Sequence, residues 1–287
     1  QCGEDPTSTI THWEQAKDPW QFLQLCIEWV DVVVTKKEKF WKVPIGADST
    51  ASGLQLLSGM LRDPVGMEYS NLLEPESEDA APKDAYMKVL EVARSIASED
   101  PNQQDLTPYL KDRSVGKPAV MLSIYGGSHQ TIQKDIEDAL IEDHPEIDKP
   151  LASRITSLVF KASKKVFPKA YQALAWMKKL AKAAHAAGST SLTWTTPTGD
   201  TIHCVKYKAD TDEIYTAHHG KMIIGDLDTE RPDTDAQVRS FAPSFVHSYD
   251  AALLKEAFSD WKQPIALIHD CVSVLPNDMD RALDRVR

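Results

Sequence analysis

The chain has 287 residues, 42% of them hydrophobic, and a formal net charge of −11. That is a globular composition, with enough apolar surface for one large domain or two smaller ones. No apolar run approaches the ~20 residues of a membrane span, so no membrane partner is expected, and nothing at the start reads as a secretory signal. The acidic balance argues mildly against nucleic acid, because phosphate binding draws on Lys and Arg. Within residues 154–182, however, Lys161, Lys164, Lys165, Lys169, Lys178 and Lys179 are concentrated, while the acids gather in 74–84, 137–148 and 226–235. Cys2, Cys26, Cys204 and Cys271 have no paired spacing. That argues against a zinc or disulfide framework and for a reducing compartment. A chain that opens on Gln1 and closes in an apparent helix at 278–287 reads as a fragment, or as an abbreviated member of something larger.

In chain order, residues 12–34 read as an amphipathic helix interrupted at Pro19, with Asp18-Pro19 as a helix start. Residues 40–48 read as a strand delivering Asp48 at its end. A helix is expected over 52–62, with Ser52 as N-cap and Leu54, Leu57 and Leu61 on one stripe. Residues 74–82 form a polar loop, and 83–98 a helix with Met87, Leu90, Val92 and Ile96 as its apolar positions. A helix over 114–125 tolerates Pro118 only in its first turn or at a kink. Further helices are expected at 131–142 and 151–187, the second broken at Pro168 and stopped by Gly188. Residues 192–196 and 202–207 flank Pro197-Thr198-Gly199-Asp200 as a β-hairpin. A strand lies within 218–226, a helix runs from Phe241 to Trp261, and an apolar hairpin at 265–275 carries Asp270. No internal repeat or low-complexity tract is present.

Two features carry chemistry. Asp48 and Asp270 each sit on an apolar strand, and a hard cation needs more than one carboxylate. Arg113, Lys117, Met121 and Tyr125 fall four residues apart, along one helix face. Two cations followed by a phenol match a triphosphate followed by sugar and base. Gly126-Gly127 then ends the helix and clears side chains from beside Tyr125. His218-His219 has no third ligand at a suitable spacing, so a metal reading there is rejected, and His269 is assigned no chemistry.

Asp48-x-x-x-Ser52-Gly53-Leu54-Gln55, Arg113-x-x-x-Lys117 with Tyr125-Gly126, and His269-Asp270 resemble motifs A, B and C of the single-subunit RNA polymerases of bacteriophages and mitochondria. Those enzymes belong to the superfamily that includes bacterial DNA polymerase I. Trp13-Glu14-Gln15-Ala16, Ser58-Gly59-Met60-Leu61-Arg62-Asp63, Trp194-Thr195-Thr196-Pro197-Thr198-Gly199 and Phe241-Ala242-Pro243-Ser244-Phe245-Val246-His247-Ser248 resemble the phage branch in the same order. The resemblance therefore covers most of the chain. It implies an α+β right-hand polymerase: a palm with a small antiparallel sheet at 1–63 and 241–287, and mostly helical fingers at 64–240. The fingers would contain the motif B helix, 113–126, and a β-hairpin insertion near 192–207. The thumb, the amino-terminal promoter-binding domain and the extension after motif C have no counterpart.

The resemblance further implies DNA-directed RNA synthesis with two Mg²⁺ ions bridged by Asp48 and Asp270, the Ser49 carbonyl completing one ion's shell. Lys117 would neutralise the leaving pyrophosphate and donate a proton to it, and Arg113 would grip the β- and γ-phosphates. Tyr125, beside Gly126, would close over the new base pair and sense the ribose. Met121 stands where DNA polymerases of the superfamily usually carry Phe, and His247 would read the minor groove and the 2′-hydroxyl. DNA template, nascent RNA and nucleoside triphosphates are the implied partners. The implied location is the cytoplasm of an infected bacterium, ahead of a mitochondrial matrix. Ser49, Leu56 and Cys271-Val272-Ser273 depart from the best-known phage sequences, and none of these changes removes a ligand. A DNA polymerase or primase of the superfamily is the alternative within the same chemistry, disfavoured by Met121 and His247. An inactive palm-and-fingers fragment that only binds nucleotide or nucleic acid is the alternative outside it.

Overall fold

In the computed structural model, residues 1–75, 77, 79–226 and 229–286 are described, Asp226 by its backbone alone. In chain order the elements are α1 (Ile10–Trp13), α2 (Pro19–Trp29), a π-helical turn (Val30–Val34), β1 (Ile45–Asp48), α3 (Ser52–Leu61), α4 (Pro64–Tyr69) and α5 (Ala85–Glu99). A 3₁₀ turn (Gln104–Tyr109) leads to α6 (Arg113–Ile124), α7 (His129–Leu140), α8 (Lys149–Val166) and α9 (Pro168–Ala186). Then come β2 (Leu192–Thr195), β3 (Thr201–Cys204), β4 (Asp210–Thr216), β5 (Gly220–Asp226) and α10 (Thr234–Ala257). β6 (Ile265–Ile268), β7 (Cys271–Val274), a 3₁₀ turn (Pro276–Asp278) and α11 (Met279–Val286) complete the chain. The result is a mixed α/β protein, about half helical, whose strands pair only antiparallel among the described residues.

Prolines set several helix starts, two of them at the expected Pro19 and Pro168. Pro19, Pro64 and Pro168 each occupy a first turn, where an absent N–H leaves no hydrogen bond unmade. Asp18 marks the start of α2, but its carboxylate makes no capping bond. The helix expected over 12–34 is three pieces. Pro118 sits in the second turn of α6, beyond the first-turn position its ring fits best. Burial of Val115, Ala119, Val120 and Ile124 holds that helix in place.

The structure differs from the sequence reading in four places. The first strand is Ile45–Asp48 rather than 40–48, because its partner β7 offers only four residues to pair with. Ser52 is the first helical residue of α3 and not its N-cap. The residue before it, Ala51, is left-handed (φ 58°, ψ 55°), and the Ser52 hydroxyl is used elsewhere. β4 has the sequence Asp-Thr-Asp-Glu-Ile-Tyr-Thr, exposed almost throughout, and only its pairing with β5 makes it a strand. α10 opens seven residues before Phe241, with Pro243 inside it.

Two compact units contain these elements: residues 1–49 with 253–287, and residues 50–252. In the smaller, the sheet β1–β7–β6 lies over Phe258, Trp261, Val272, Val274 and Ala282. Arg281 stacks on Trp261 at 4.7 Å. In the larger, α5, α6, α7 and α8 share a core with Val89, Leu90, Val115, Ile132, Ile136, Ile155 and Val159 fully buried. Each such side chain contributes about 1.5–3 kcal/mol by leaving water. The β2–β3 hairpin joins this unit through Trp194, whose indole N–H donates to Ser248 Oγ at 3.0 Å and whose ring meets Phe241 edge-on. Fully buried Gln237 donates through Nε2 to the Thr190 and Lys206 carbonyls, pinning the ends of that hairpin.

Candidate functional site

In the smaller unit, the antiparallel register sets Asp48 directly opposite Cys271, the residue after Asp270. Facing residues of an antiparallel pair have Cα atoms about 4.5–5.5 Å apart. The two acids, remote in sequence, are thus neighbours at one end of one sheet. Asp270 lies in the two-residue turn between β6 and β7, where His269 takes a left-handed φ of 54°. Val272 and Val274 point into the Trp261 core, so Cys271 and its cross-strand partner Asp48 share the opposite face. Neither the Asp48 nor the Asp270 carboxylate has a side-chain hydrogen bond or ion pair among the described residues.

Three His, Cys, Asp or Glu side chains placed to hold an ion do not occur among the described residues. A magnesium site takes one or two protein carboxylates and completes its octahedron with water and substrate phosphates. Two Asp carboxylates and the Ser49 carbonyl are hard oxygen donors of the right chemistry.

In the larger unit, α6 carries the predicted row. Arg113 and Lys117 are exposed, Met121 is half-buried, and Tyr125 follows the last helical residue. Lys117 has no ion-pair partner among the described residues. Arg113 is held: its Nε donates to Asp84 Oδ2 at 2.7 Å, and its guanidinium lies 4.4 Å from the centre of the Tyr86 ring. Asp84 also caps α5, accepting through Oδ1 from the Tyr86 and Met87 amides. Burial works against its charged form, yet the Met87 amide, the Arg113 guanidinium and the Tyr86 amide outweigh that and hold its carboxyl below the ordinary 3.8.

Tyr125 and His247 are brought together, their rings stacked at 4.7 Å and 17°. The Tyr125 hydroxyl lies 2.8 Å from Ser52 Oγ and accepts from the Gly53 N–H at 3.0 Å. The Ser52 hydroxyl in turn reaches Asp250 Oδ2 at 3.2 Å. A Cβ on Gly53 would stand 3.0 Å from the Tyr125 hydroxyl and 2.7 Å from Ile124 Cγ2, so only glycine permits this approach. Gly126 has φ +77°, and a Cβ there would meet Pro243 Cγ at 2.7 Å. Asp84 and Asp250 were not singled out from sequence. The first is a helix-cap acid one residue before Ala85, and the second lies one helical turn after His247, which is the signal each gave.

A family profile described as DNA-dependent RNA polymerase matches residues 1–287. The DNA-directed RNA polymerase of Enterobacteria phage T3 is 26% identical, covering 100% of this chain and 38% of the phage protein. That of Pseudomonas phage phiKMV is 30% identical over 84% of this chain and 31% of its own length. The human mitochondrial DNA-directed RNA polymerase is 26% identical over 93% of this chain and 22% of its own length. The chain therefore spans well under half the length of each of these relatives.

Proposed function

Because the chain belongs to the phage-type, single-subunit DNA-dependent RNA polymerase family, we propose that it performs template-directed nucleotidyl transfer. A 3′-hydroxyl attacks the α-phosphate of a nucleoside triphosphate, and pyrophosphate leaves. The observation that carries this reading is the register that sets Asp48 opposite Cys271, beside Asp270.

In this reading Asp48, Asp270 and the Ser49 carbonyl would hold two magnesium ions. When bound, these would lower the hydroxyl's pKa and stabilise the attacking and leaving oxygens. Lys117 places a mobile cation against the departing pyrophosphate and passes it a proton. Arg113 keeps its two terminal guanidinium nitrogens for the β- and γ-phosphates while Asp84 fixes its Nε. Tyr125, with Gly126 clearing the space beside it, covers the base pair and senses the ribose, and Met121 leaves room for a ribonucleotide. His247 reads the minor groove and the 2′-hydroxyl. Residues 1–63 and 241–287 are assigned as palm and 64–240 as fingers. The partners are DNA template, nascent RNA and nucleoside triphosphates, in the cytoplasm of an infected bacterium.

Extension of a fluorescent RNA primer on a DNA template with Mg²⁺ tests this. Ribonucleotide addition by the wild-type chain, abolished in both Asp48→Ala and Asp270→Ala, is the expected outcome. Addition of deoxynucleotides only would move the assignment to a DNA polymerase. Nucleotide binding without extension would make the chain a non-catalytic fragment.

A further inference from the structure

We propose that the outer faces of α8 and α9 form a binding surface for single-stranded DNA; only the choice of DNA rests on the polymerase reading. Residues 149–199 contain nine Lys and Arg and no Asp or Glu, in a chain whose net charge is −11. Arg154 is paired with Asp105 at 2.7 Å, and Lys169 with Asp63 at 4.0 Å. The other seven have no acidic partner among the described residues.

Packing fixes where these cations point. α8 buries Ala152, Ile155, Val159 and Ala162, and α9 buries Ala170, Leu174, Met177 and Ala181. Lys161, Lys164 and Lys165 are left outward on α8, three and four residues apart, and so are neighbours on one face. On α9, Trp176, Lys179 and Lys182 follow at steps of three, with Lys178 four residues before Lys182. Like charges at these spacings repel and weaken a helix. No acid on either helix offsets that repulsion. A polyanion laid along them does. Trp176 then selects among polyanions. It is 60% exposed, although it is the largest apolar side chain on either helix. A strand with unpaired bases uses both features: phosphates meet the cations, and a base stacks on the indole. A duplex keeps its bases stacked on one another, and an acidic protein surface has none to offer. Among the exposed side chains of α9, only Gln172 could accept from a ribose 2′-hydroxyl, so RNA gains little here over DNA. Template-directed copying leaves a DNA strand unpaired, and that strand is the occupant.

Fluorescence anisotropy of a labelled oligodeoxyuridylate about 20 nucleotides long, titrated with the chain in a series of KCl concentrations, tests this. Metal and nucleotide are left out. Affinity should fall with salt, and the log–log slope should become shallower by about 0.7 for each phosphate-bound lysine removed. Lys161→Gln/Lys164→Gln/Lys165→Gln and Lys178→Gln/Lys179→Gln/Lys182→Gln should therefore each lower it by about two. Lys111→Gln/Lys134→Gln/Lys262→Gln, at exposed lysines outside these helices, should leave it unchanged. Glutamine matches lysine in helix propensity, so the helices should persist. Trp176→Ala should weaken binding about five- to 150-fold at every salt concentration, and Trp176→Phe should restore part of the loss.

The oligodeoxyuridylate should bind at least as tightly as an oligouridylate of equal length, and more tightly than a DNA duplex. Slopes lowered no more by the helix substitutions than by the control set overturn the surface. Undiminished binding by Trp176→Ala, or a duplex bound as tightly as the single strand, overturns the single-strand assignment. Tighter binding of the oligouridylate gives the surface to RNA and overturns the choice of DNA. Absence of primer extension by the wild-type chain, with binding responding as described, overturns the polymerase reading and leaves the surface standing.

Discussion

At the scale of single residues, Asp84 joins two contacts in one carboxylate. One oxygen closes the start of α5 and the other holds Arg113. Because its folded pKa is depressed, its stabilising effect is present above its unfolded pKa and is lost as pH falls through the folded value. Asp84→Ala should therefore cost about 1 kcal/mol at neutral pH through loss of the cap. That deficit should shrink below about pH 4, where the wild-type carboxylate also becomes protonated. Urea unfolding of both proteins across that range measures it, and a deficit that stays constant into acid would contradict the linkage. Asp48, Asp270, Lys117 and Tyr125 stood out in the sequence because motif spacing marks them. Asp84 and Asp250 did not, because their partners Arg113 and Ser52 are distant in the chain and only folding brings them together.

At the scale of elements, what could be read depended on whether the signal was local. The break between α8 and α9 at Pro168, the stop at Gly188 and the turn of the β2–β3 hairpin were all legible, since proline and glycine act on their own backbone. β4 was not, because its polar residues become a strand only by pairing with β5. The role of Ser52 was misread for the same reason: local sequence offers a helix cap, and tertiary contacts claim the hydroxyl instead. The turn after α6 combines both kinds of signal. Gly126 is required by its left-handed φ and by the nearness of Pro243. Gly126→Ala should lower stability by at least about 1–2 kcal/mol from backbone strain alone. An unchanged midpoint of chemical unfolding would show that the turn relaxes freely.

At the scale of the whole molecule, the chain leaves and re-enters one small sheet, and that return is what brings the two acids together. β1 comes from the first fifty residues and β7 from the last twenty, yet they pair along their full lengths. Composition and net charge carried no trace of this. Two acids on separate apolar segments did, once the expectation of a shared cation linked them. The Trp261 core beneath β7 keeps Cys271 and Asp48 on the opposite face.

The central claim is that Asp48 and Asp270 act as one divalent-cation site, and binding of Mn²⁺ to the purified chain, followed by electron paramagnetic resonance, tests it most directly. The account predicts saturable binding by the wild type that is lost in Asp48→Asn and lost to the same extent in Asp270→Asn. Binding that survives either substitution undiminished would contradict it.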